Sequence, residues 1–158
     1  MKSKVRESRE LRVTSDGSHT LYVPSLDEHY HSHYGAITES GHIFINAGLA
    51  ALKSSKVNLL EIGFGTGLIE KKLSDLTVMN IEGLYDLVYF DAFGPDKQPE
   101  MWSREVMQKI AAVTHPGSVF VTYSAKGELK RNLRDLGFEV TLLPGPPGKR
   151  VMIRAVKK

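Results

Sequence analysis

The N-terminal part of the chain alternates apolar and polar residues with the period of a β-strand. Residues 11–14 and 20–24 predict two short strands, and the Asp16-Gly17 pair between them is a strong hairpin turn signal. Residues 25–40 are polar and rich in histidine, which predicts a loop. We therefore expect a β-hairpin followed by a long connection.

From residue 40 onward, the patterns typical of helices and of strands alternate along the chain. Helices are predicted over residues 41–53, 68–76, 99–113 and 126–136. Strands are predicted over residues 57–62, 85–90, 118–123, 138–143 and 150–156. Such alternation implies an α/β fold with a mostly parallel sheet and helices on both faces. The connection 144–149 is rich in proline and glycine, which predicts an antiparallel pair for the last two strands.

Single residues predict where several helices begin and end. Ser40 is expected to cap the first helix, Pro99 to begin the third and Gly137 to end the last. The inward face of the first helix is predicted to hold Ile43, Phe44, Ala47, Ala50 and Ala51. That of the third is predicted to hold Trp102, Val106, Ile110 and Val113.

The composition is that of a soluble globular protein. The chain has 158 residues, of which 41% are hydrophobic and 25% charged. It has no cysteine, which excludes disulfides, thiolate zinc sites and a cysteine nucleophile. No apolar run approaches the roughly 18 residues of a membrane helix, and no signal peptide is visible. We expect one cytoplasmic domain over 1–158, with residues 1–40 forming the hairpin and loop and 41–158 the core.

The charge is distributed unevenly along the chain. Residues 1–12 carry a net charge of +3, residues 13–125 one of −6, and residues 126–158 one of +6. A basic face built from the two ends could bind a phosphate backbone. Solubility alone also accounts for the asymmetry, and on charge alone it is the simpler interpretation.

A glycine-rich loop follows the strand Leu-Leu-Glu-Ile at residues 59–62. Gly63, Gly65 and Gly67 permit a tight turn and let a ligand approach the backbone, and the helix that follows offers free N–H groups to an anion. The pattern is G-x-G-x-G, and not the G-x-G-x-x-G of nicotinamide sites. A ligand loop is favoured over a simple glycine turn.

Asp91 stands directly after the apolar strand at 85–90. Ligands of open parallel sheets bind beyond the carboxyl ends of the strands, so the Asp91 carboxylate is expected to face a ligand. Such a carboxylate can accept a hydrogen bond from a nucleophilic amine and orient its lone pair. On position alone, a role in bracing the loop is equally compatible.

Two polar segments complete the candidate chemistry. His29, His31 and His33 alternate, which is only a weak metal signal, and a polar loop over a cleft is the favoured interpretation. The segment 144–150 is either a rigid hairpin connection or a stiff loop that presents Lys149 and Arg150 to a polyanion.

Taken together, several motifs resemble the methyltransferase family MnmD, which corresponds to the methyltransferase domain of the bifunctional tRNA-modifying protein MnmC. They are "LYVPSLDEHYHSHYGAITESGHIFINAGL", "LLEIGFGTGL", "YDLVYFDAFGPDKQPEMW", "VTYSAKGELKRNLRDLGFEV" and "LPGPPGKRVMIRA". The resemblance implies a Rossmann-like fold and transfer of a methyl group from S-adenosyl-L-methionine (SAM). The substrate it implies is 5-aminomethyl-2-thiouridine at the wobble position of tRNA, with no metal.

The resemblance also implies roles for individual residues. Cofactor binding is implied for Glu61, Gly63, Phe64, Gly65, Gly67, Tyr30 and His31. Asp91 is implied as the catalytic residue of the amine-methylating site, and the substrate is implied to meet Phe93, Pro95, Lys149 and Arg150. Nothing in the chain resembles the FAD oxidase half of the bifunctional protein, so the substrate would arrive with its aminomethyl group already made.

The chain departs from the family pattern in the middle. Only about 17 residues, 68–84, lie between Gly67 and the strand at Tyr85, and they include the helix after Gly67. Two further strand–helix units are expected there, so about 50 or more residues are missing. The missing part includes the strand whose acidic end usually binds the ribose of SAM, although residues 77–81 could supply one short strand. Either the chain is an internally shortened member or a stretch of the natural protein is not represented in it.

The expected mechanism is direct methyl transfer to the amine. At its reference pKa of about 3.9, Asp91 is too weak a base to deprotonate an alkylammonium in bulk water, so we expect it to hold the amine and to assist proton loss during bond formation. Two alternatives stay open: another SAM-dependent or aminopropyl transferase acting on a small amine, and a non-catalytic remnant that binds RNA or a partner.

Overall fold

The computed structural model describes residues 8–63 and 76–158. Its smaller sheet has three antiparallel strands in the order β1-β2-β3. These strands are β1 (Glu10–Val13), β2 (His19–Val23) and β3 (Glu28–His29). The predicted hairpin is confirmed, and its turn is closed by a 2.8 Å hydrogen bond from the Thr14 amide to the Ser18 carbonyl. The short β3 lies where the sequence predicted only a loop.

The larger sheet has five strands in the order β4-β5-β6-β8-β7. They are β4 (Leu59–Ile62), β5 (Tyr85–Phe90), β6 (Thr114–Thr122), β7 (Phe138–Pro144) and β8 (Val151–Lys157). The first three are mutually parallel, and β8 runs antiparallel to both β6 and β7. The predicted mostly parallel sheet with an antiparallel C-terminal strand is therefore confirmed.

The first helical segment begins earlier than the sequence predicted. Helix α1 (Ala36–Ser40) continues into a π-helix over Gly41–Asn46, so the expected boundary at residue 40 falls inside one helical segment. Ser40 has helical backbone angles, and the prediction that it caps the helix is wrong. The reason lies in the hairpin turn, where Ser18 Oγ accepts from the Ala36 amide at 3.0 Å and Asp16 from the Thr38 amide at 2.9 Å.

Beyond this segment, a short 3₁₀ turn covers Leu49–Ala51. Of the predicted inward residues, Ile43, Phe44 and Ala47 are buried. Ala50 and Ala51 are exposed, so that part of the prediction is wrong. The wider π turns shift the later residues away from the face that an α-helix would present.

The two C-terminal helices agree more closely with the pattern. A 3₁₀ turn over Pro99–Trp102 precedes α2 (Arg104–Ala112), and the extended Ser103 separates them because its Oγ caps α2 by accepting from the Val106 amide at 3.3 Å. The predicted stripe is buried throughout: Trp102, Val106, Ile110 and Val113. Helix α3 (Gly127–Asp135) ends just before Gly137, whose positive φ of 84° is the conformation that glycine adopts most readily.

The larger sheet is packed on both faces. One face is covered by α2 and α3, whose Ile110 and Leu133 pack with Phe90 and Phe120 of the sheet. The opposite face is covered by the helical segment 36–51, whose Phe44 stacks on Tyr89 with ring centroids 4.8 Å apart. This three-layer arrangement leaves the carboxyl ends of β4, β5 and β6 together at one edge.

Residues 76–84 form turns and irregular backbone, so the short strand considered for residues 77–81 is absent. Lys109 of α2 holds this stretch by donating to the carbonyls of Leu76, Thr77 and Met79, at 3.1, 2.6 and 3.1 Å. Within the described residues, β4 pairs only with β5 and is an edge strand. The helix predicted over 68–76 lies almost entirely outside the described residues.

Candidate active site

Asp91 lies at the junction of two neighbouring strands, as its position after β5 predicted. Its amide donates a 2.8 Å hydrogen bond to the carbonyl of Ile62, the last residue of β4. The next residue, Gly63, has a φ of +86°, and a Cβ placed there would collide with the Asp91 carbonyl. The start of the glycine loop is thus packed directly against the backbone of Asp91. Phe64, Gly65 and Gly67 lie outside the described residues.

The carboxyl of Asp91 is unusually basic. Burial raises the pKa of Asp91 to about 7, and the carboxylates of Glu39 and Glu61 add to the rise, while the Lys149 ammonium opposes it. The expectation that Asp91 would be too weak a base rested on its reference pKa. A carboxylate with a pKa near 7 is a far more effective proton acceptor for an amine.

A partly buried ion pair lies beside Asp91. Glu39 at the end of α1 is only 8% exposed, forms an ion pair with Lys149 of the β7–β8 connection, and accepts a 2.8 Å hydrogen bond from the Ser32 amide. The Lys149 ammonium also lies 4.0 Å from the centroid of the Tyr123 ring, a cation–π distance. This pair joins the N-terminal segment to the C-terminal hairpin across the edge of the sheet that carries Asp91.

Tyr123 follows the last residue of β6, just as Asp91 follows β5. Its hydroxyl donates to the Ala92 carbonyl at 2.8 Å, which fixes its ring next to the Asp91 loop. Burial, followed by the charge of Asp91, raises the pKa of Tyr123 well above its usual value. The phenol therefore stays protonated at neutral pH and acts as a hydrogen-bond donor.

The histidine-rich segment and the Asp91 loop meet through aromatic rings. Tyr30 packs edge-on against Phe93 with ring centroids 5.2 Å apart, and the Phe93 carbonyl accepts a 2.8 Å hydrogen bond from Trp102 Nε1. The His31 amide donates to Thr20 Oγ1 at 2.8 Å. Burial lowers the pKa of His31 although the Glu39 carboxylate opposes the shift, so its imidazole is mostly neutral at pH 7.

Most of the described candidate residues are therefore brought together. Gly63 lies against the Asp91 backbone, and the Glu61 charge acts on the Asp91 carboxyl. Tyr30 packs against Phe93, two residues after Asp91, and His31 lies within the electrostatic influence of Glu39 and Lys149. Pro95 is partly buried in the same turn. The two basic candidates differ from one another. The Lys149 side chain is held inward by Glu39 and Tyr123, whereas Arg150 is exposed.

Sequence reasoning missed two residues of this region. The sequence places Glu39 only within the polar segment 25–40, and it assigns no role to Tyr123. The signal for Tyr123 was present, because the rule that selected Asp91 at the end of one parallel strand also selects the first residue after β6. No local signal identifies Glu39, since its partner Lys149 is 110 residues away.

The charges of the described site suit two kinds of ligand. The carboxylates of Glu39 and Glu61 act electrostatically on Asp91, with Lys149 as the opposing cation. Both the sulfonium of SAM and an alkylammonium carry positive charge and fit such surroundings. Among residues 8–63 and 76–158, no group of three or more histidines, aspartates and glutamates is arranged to hold a metal ion. In the same residues, no helix is long and apolar enough to cross a membrane.

The sequence is similar to proteins named tRNA 5-methylaminomethyl-2-thiouridine biosynthesis bifunctional protein MnmC. The protein from Pseudoalteromonas atlantica is 42% identical over 77 residues, covering 49% of this chain and 11% of the relative. The protein from Campylobacter hominis is 33% identical over 111 residues, which cover 70% of this chain and 16% of the relative. The protein from Paraburkholderia phymatum is 27% identical over 155 residues, which cover 90% of this chain and 24% of the relative. The chain thus spans less than a quarter of the length of these relatives.

The fold is similar to that of the crystal structure of MNMC2 from Aquifex aeolicus. The TM-score is 0.81 over 98% of this chain and 72% of that chain, at 20% sequence identity. This likeness supports the Rossmann-like fold, and the MnmC relatives confirm the resemblance noted in the sequence motifs. A family model described as S-adenosyl-L-methionine-dependent methyltransferase matches residues 50–158, which include the glycine loop, Asp91, Tyr123 and Lys149. This match covers more than half of the chain and shows that the chain belongs to the family of S-adenosyl-L-methionine-dependent methyltransferases.

Proposed function

We propose that this chain methylates the aminomethyl nitrogen of 5-aminomethyl-2-thiouridine at the wobble position of tRNA. The observation that carries the proposal is the basic carboxylate of Asp91, with a pKa of about 7, fixed where β4 and β5 end. The names of the MnmC relatives support the choice of substrate. A tRNA substrate makes the cytoplasm the expected place of action.

In this proposal, SAM supplies the methyl group when it is bound. Gly63 and Glu61 hold the cofactor together with Phe64, Gly65 and Gly67, and Tyr30 and His31 close over it. Asp91 accepts a hydrogen bond from the substrate amine and aims the nitrogen lone pair at the methyl carbon. Before transfer, Asp91 takes a proton from the bound ammonium, and its raised pKa favours this transfer at neutral pH. The neutral nitrogen would then form the N–C bond as the sulfonium S–C bond of SAM breaks, which would yield the methylated ammonium and S-adenosylhomocysteine.

The substrate side of the site is proposed to include Phe93 and Pro95, which lie in the turn directly after Asp91. The ring of Phe93 is already fixed by Tyr30, so it offers a rigid apolar surface to the base. The exposed Arg150 and the net charge of +6 over residues 126–158 supply contacts to the phosphates.

A transfer assay tests the proposal. The chain is incubated with methyl-labelled SAM and tRNA that carries the aminomethyl group, and the digested nucleosides are analysed by mass spectrometry. We expect one added methyl on the aminomethyl nucleoside and none on matched tRNA that lacks the amine. Equal methylation of small amines without tRNA would instead indicate a small-amine transferase. Retained tRNA binding without SAM binding would indicate a non-catalytic remnant.

A further inference from the structure

The ammonium of Lys149 occupies a site built for a cation. It forms an ion pair with the buried carboxylate of Glu39 and lies 4.0 Å from the centroid of the Tyr123 ring. A carboxylate combined with an aromatic face is the arrangement by which proteins bind alkylammonium ions. The Lys149 side chain keeps 30% of its surface exposed, whereas the Glu39 side chain keeps 10%. Glu39 is therefore the buried part of this site, Tyr123 is partly buried beside it, and Lys149 enters from the solvent side.

The Glu39 carboxylate and the Tyr123 ring are fixed independently of Lys149. The Tyr123 hydroxyl donates to the Ala92 carbonyl at 2.8 Å, and its ring packs edge-on against Trp102 at 5.9 Å. The second oxygen of Glu39 accepts from the Ser32 amide at 2.8 Å. Since neither group relies on the lysine for its position, both remain in place if the ammonium leaves.

Lys149 itself is carried by a connection between strands. Its amide donates to the Pro146 carbonyl at 2.9 Å, and the Gly145 amide donates to the Arg150 carbonyl at 3.2 Å, which closes the connection. Lys149 reaches Glu39 through a four-carbon side chain with several rotatable bonds. Rotation of this side chain alone vacates the site, with no change in the backbone.

The surroundings retain negative charge when the lysine leaves. Besides Glu39, the carboxylates of Asp91 and Glu28 act electrostatically on Tyr123, and Glu61 acts on Asp91. Removing Lys149 takes away the cation that opposes these carboxylates, so their charge is unfavourable unless a proton or another cation compensates it. An alkylamine is protonated in neutral water, because its pKa is about 10 as for lysine. The substrate named in the proposed function therefore arrives as a cation of the same chemistry as Lys149.

From these contacts we infer that Glu39 and the face of Tyr123 form the subsite that receives the substrate ammonium, and that Lys149 occupies this subsite until the substrate displaces it. The inference rests on the proposed function for the identity of the amine. Glu39 and Tyr123 then contribute to substrate specificity, because a hydroxymethyl or unmodified base has no ammonium that could replace that of Lys149. Proton loss to the neighbouring Asp91 then follows binding.

Direct binding tests the inference without any turnover. The probe is the nucleoside 5-aminomethyl-2-thiouridine, titrated by NMR in the absence of SAM, with its hydroxymethyl analogue as the uncharged control. Lys149→Met keeps an unbranched side chain, one atom shorter than that of lysine, and removes the charge. We expect it to bind the amine at least about tenfold more tightly than the parent chain and to bind the analogue unchanged. Adding Glu39→Gln to Lys149→Met should abolish the gain, and Tyr123→Leu should reduce it, while Tyr123→Phe keeps most of it.

Two results would overturn the inference: equal amine affinity in the parent chain and Lys149→Met, or a gain of the same size for the uncharged analogue. Far-ultraviolet circular dichroism and thermal melting establish that each variant is folded. In the parent chain, where folding is not in question, the amine should move the Tyr123 ring resonances and the Lys149 ammonium resonance together. Amine binding without methyl transfer would contradict the proposed function alone, and methyl transfer without the Lys149→Met gain would contradict the subsite alone.

Discussion

The amide of Asp91 donates a 2.8 Å hydrogen bond to the carbonyl of Ile62, and this bond fixes the candidate base to the strand that leads into the glycine loop. Ile62 and Phe90 are register partners in the parallel pair, so Asp91 and Gly63 are each the first residue beyond their strands. The backbone proposed to hold the cofactor and the carboxylate proposed to hold the amine are thus positioned by the same pair of strands.

Gly63→Ala is the first variant that this arrangement allows us to predict. The new methyl group would meet the Asp91 carbonyl, and the residue would keep a positive φ of 86° that alanine rarely adopts. We expect a loss of SAM affinity and a free energy of unfolding lower by about 1–3 kcal/mol or more. Calorimetric SAM titration and denaturant melts measure the two effects.

Gly17→Ala is its matched control. Gly17 has a similar positive φ of 80°, yet a Cβ there has no neighbour within 4 Å. The control therefore carries the backbone strain without the collision, and it lies in the hairpin turn. If Gly17→Ala lowered SAM affinity as much as Gly63→Ala, contact between the glycine loop and Asp91 would not be the cause.

Asp91→Asn tests the chemistry. The amide keeps the size and one acceptor oxygen but cannot take a proton, so turnover should fall by about 100-fold or more. SAM affinity should change little, because Gly63 and the residues after it hold the cofactor in the proposed mechanism. Single-turnover methylation of aminomethyl-bearing tRNA gives the rate. Near-normal turnover in the variant would remove Asp91 from the mechanism.

The same substitution has a predictable effect on stability. The folded pKa of Asp91, about 7, lies above the unfolded value near 3.9, so the protein favours the protonated carboxyl. The stability contribution of this carboxyl is complete below pH 3.9 and is lost as the pH rises through 7. Asp91→Asn should therefore melt several degrees above the parent chain at pH 8.5 and close to it at pH 4. A bracing role for Asp91 predicts the opposite, a lower melting temperature at both pH values.

Glu39→Gln should change the pH dependence of Asp91. The Glu39 charge raises the pKa of Asp91 and Lys149 lowers it, so loss of the Glu39 charge should bring the Asp91 pKa down from about 7. Carbon-13 NMR of the carboxyl groups, with Asp91→Asn for assignment, measures the pKa directly. Glu10→Gln is the control, because Glu10 lies in β1 and pairs there with Arg12. An unchanged Asp91 pKa in Glu39→Gln would show that burial alone sets it.

The sequence predicted the larger sheet well because each of its strands carries its own apolar pattern. Strand β5 was predicted with its observed bounds, and the position of Asp91 followed from them. The first helix was placed wrongly because its N-terminal amides are satisfied by Asp16 and Ser18, in a turn distant along the chain. Capping of this kind has no local signature.

The sequence predicted the candidate residues that directly follow a strand, and it missed the contact that forms between segments far apart in the chain. Asp91 and Gly63 each follow a strand, whereas the Glu39–Lys149 pair joins α1 to the β7–β8 connection. The raised pKa of Asp91 depends on burial and on this pair, and neither can be obtained from its neighbours in sequence. Lys149 and Arg150, adjacent in the chain, also have different surroundings that composition cannot distinguish.

Arg150→Glu is the last variant, and it separates tRNA binding from the cation subsite. Arg150 is exposed next to the inward-held Lys149, so its reversal should weaken tRNA binding roughly threefold to tenfold at low salt and reduce the salt dependence by about one phosphate contact. SAM affinity should stay nearly unchanged. Lys56→Glu has the same charge change at the opposite, amino end of the parallel strands, where no tRNA contact is proposed. Filter binding over a salt series compares the two, and equal losses would mean that only net charge matters.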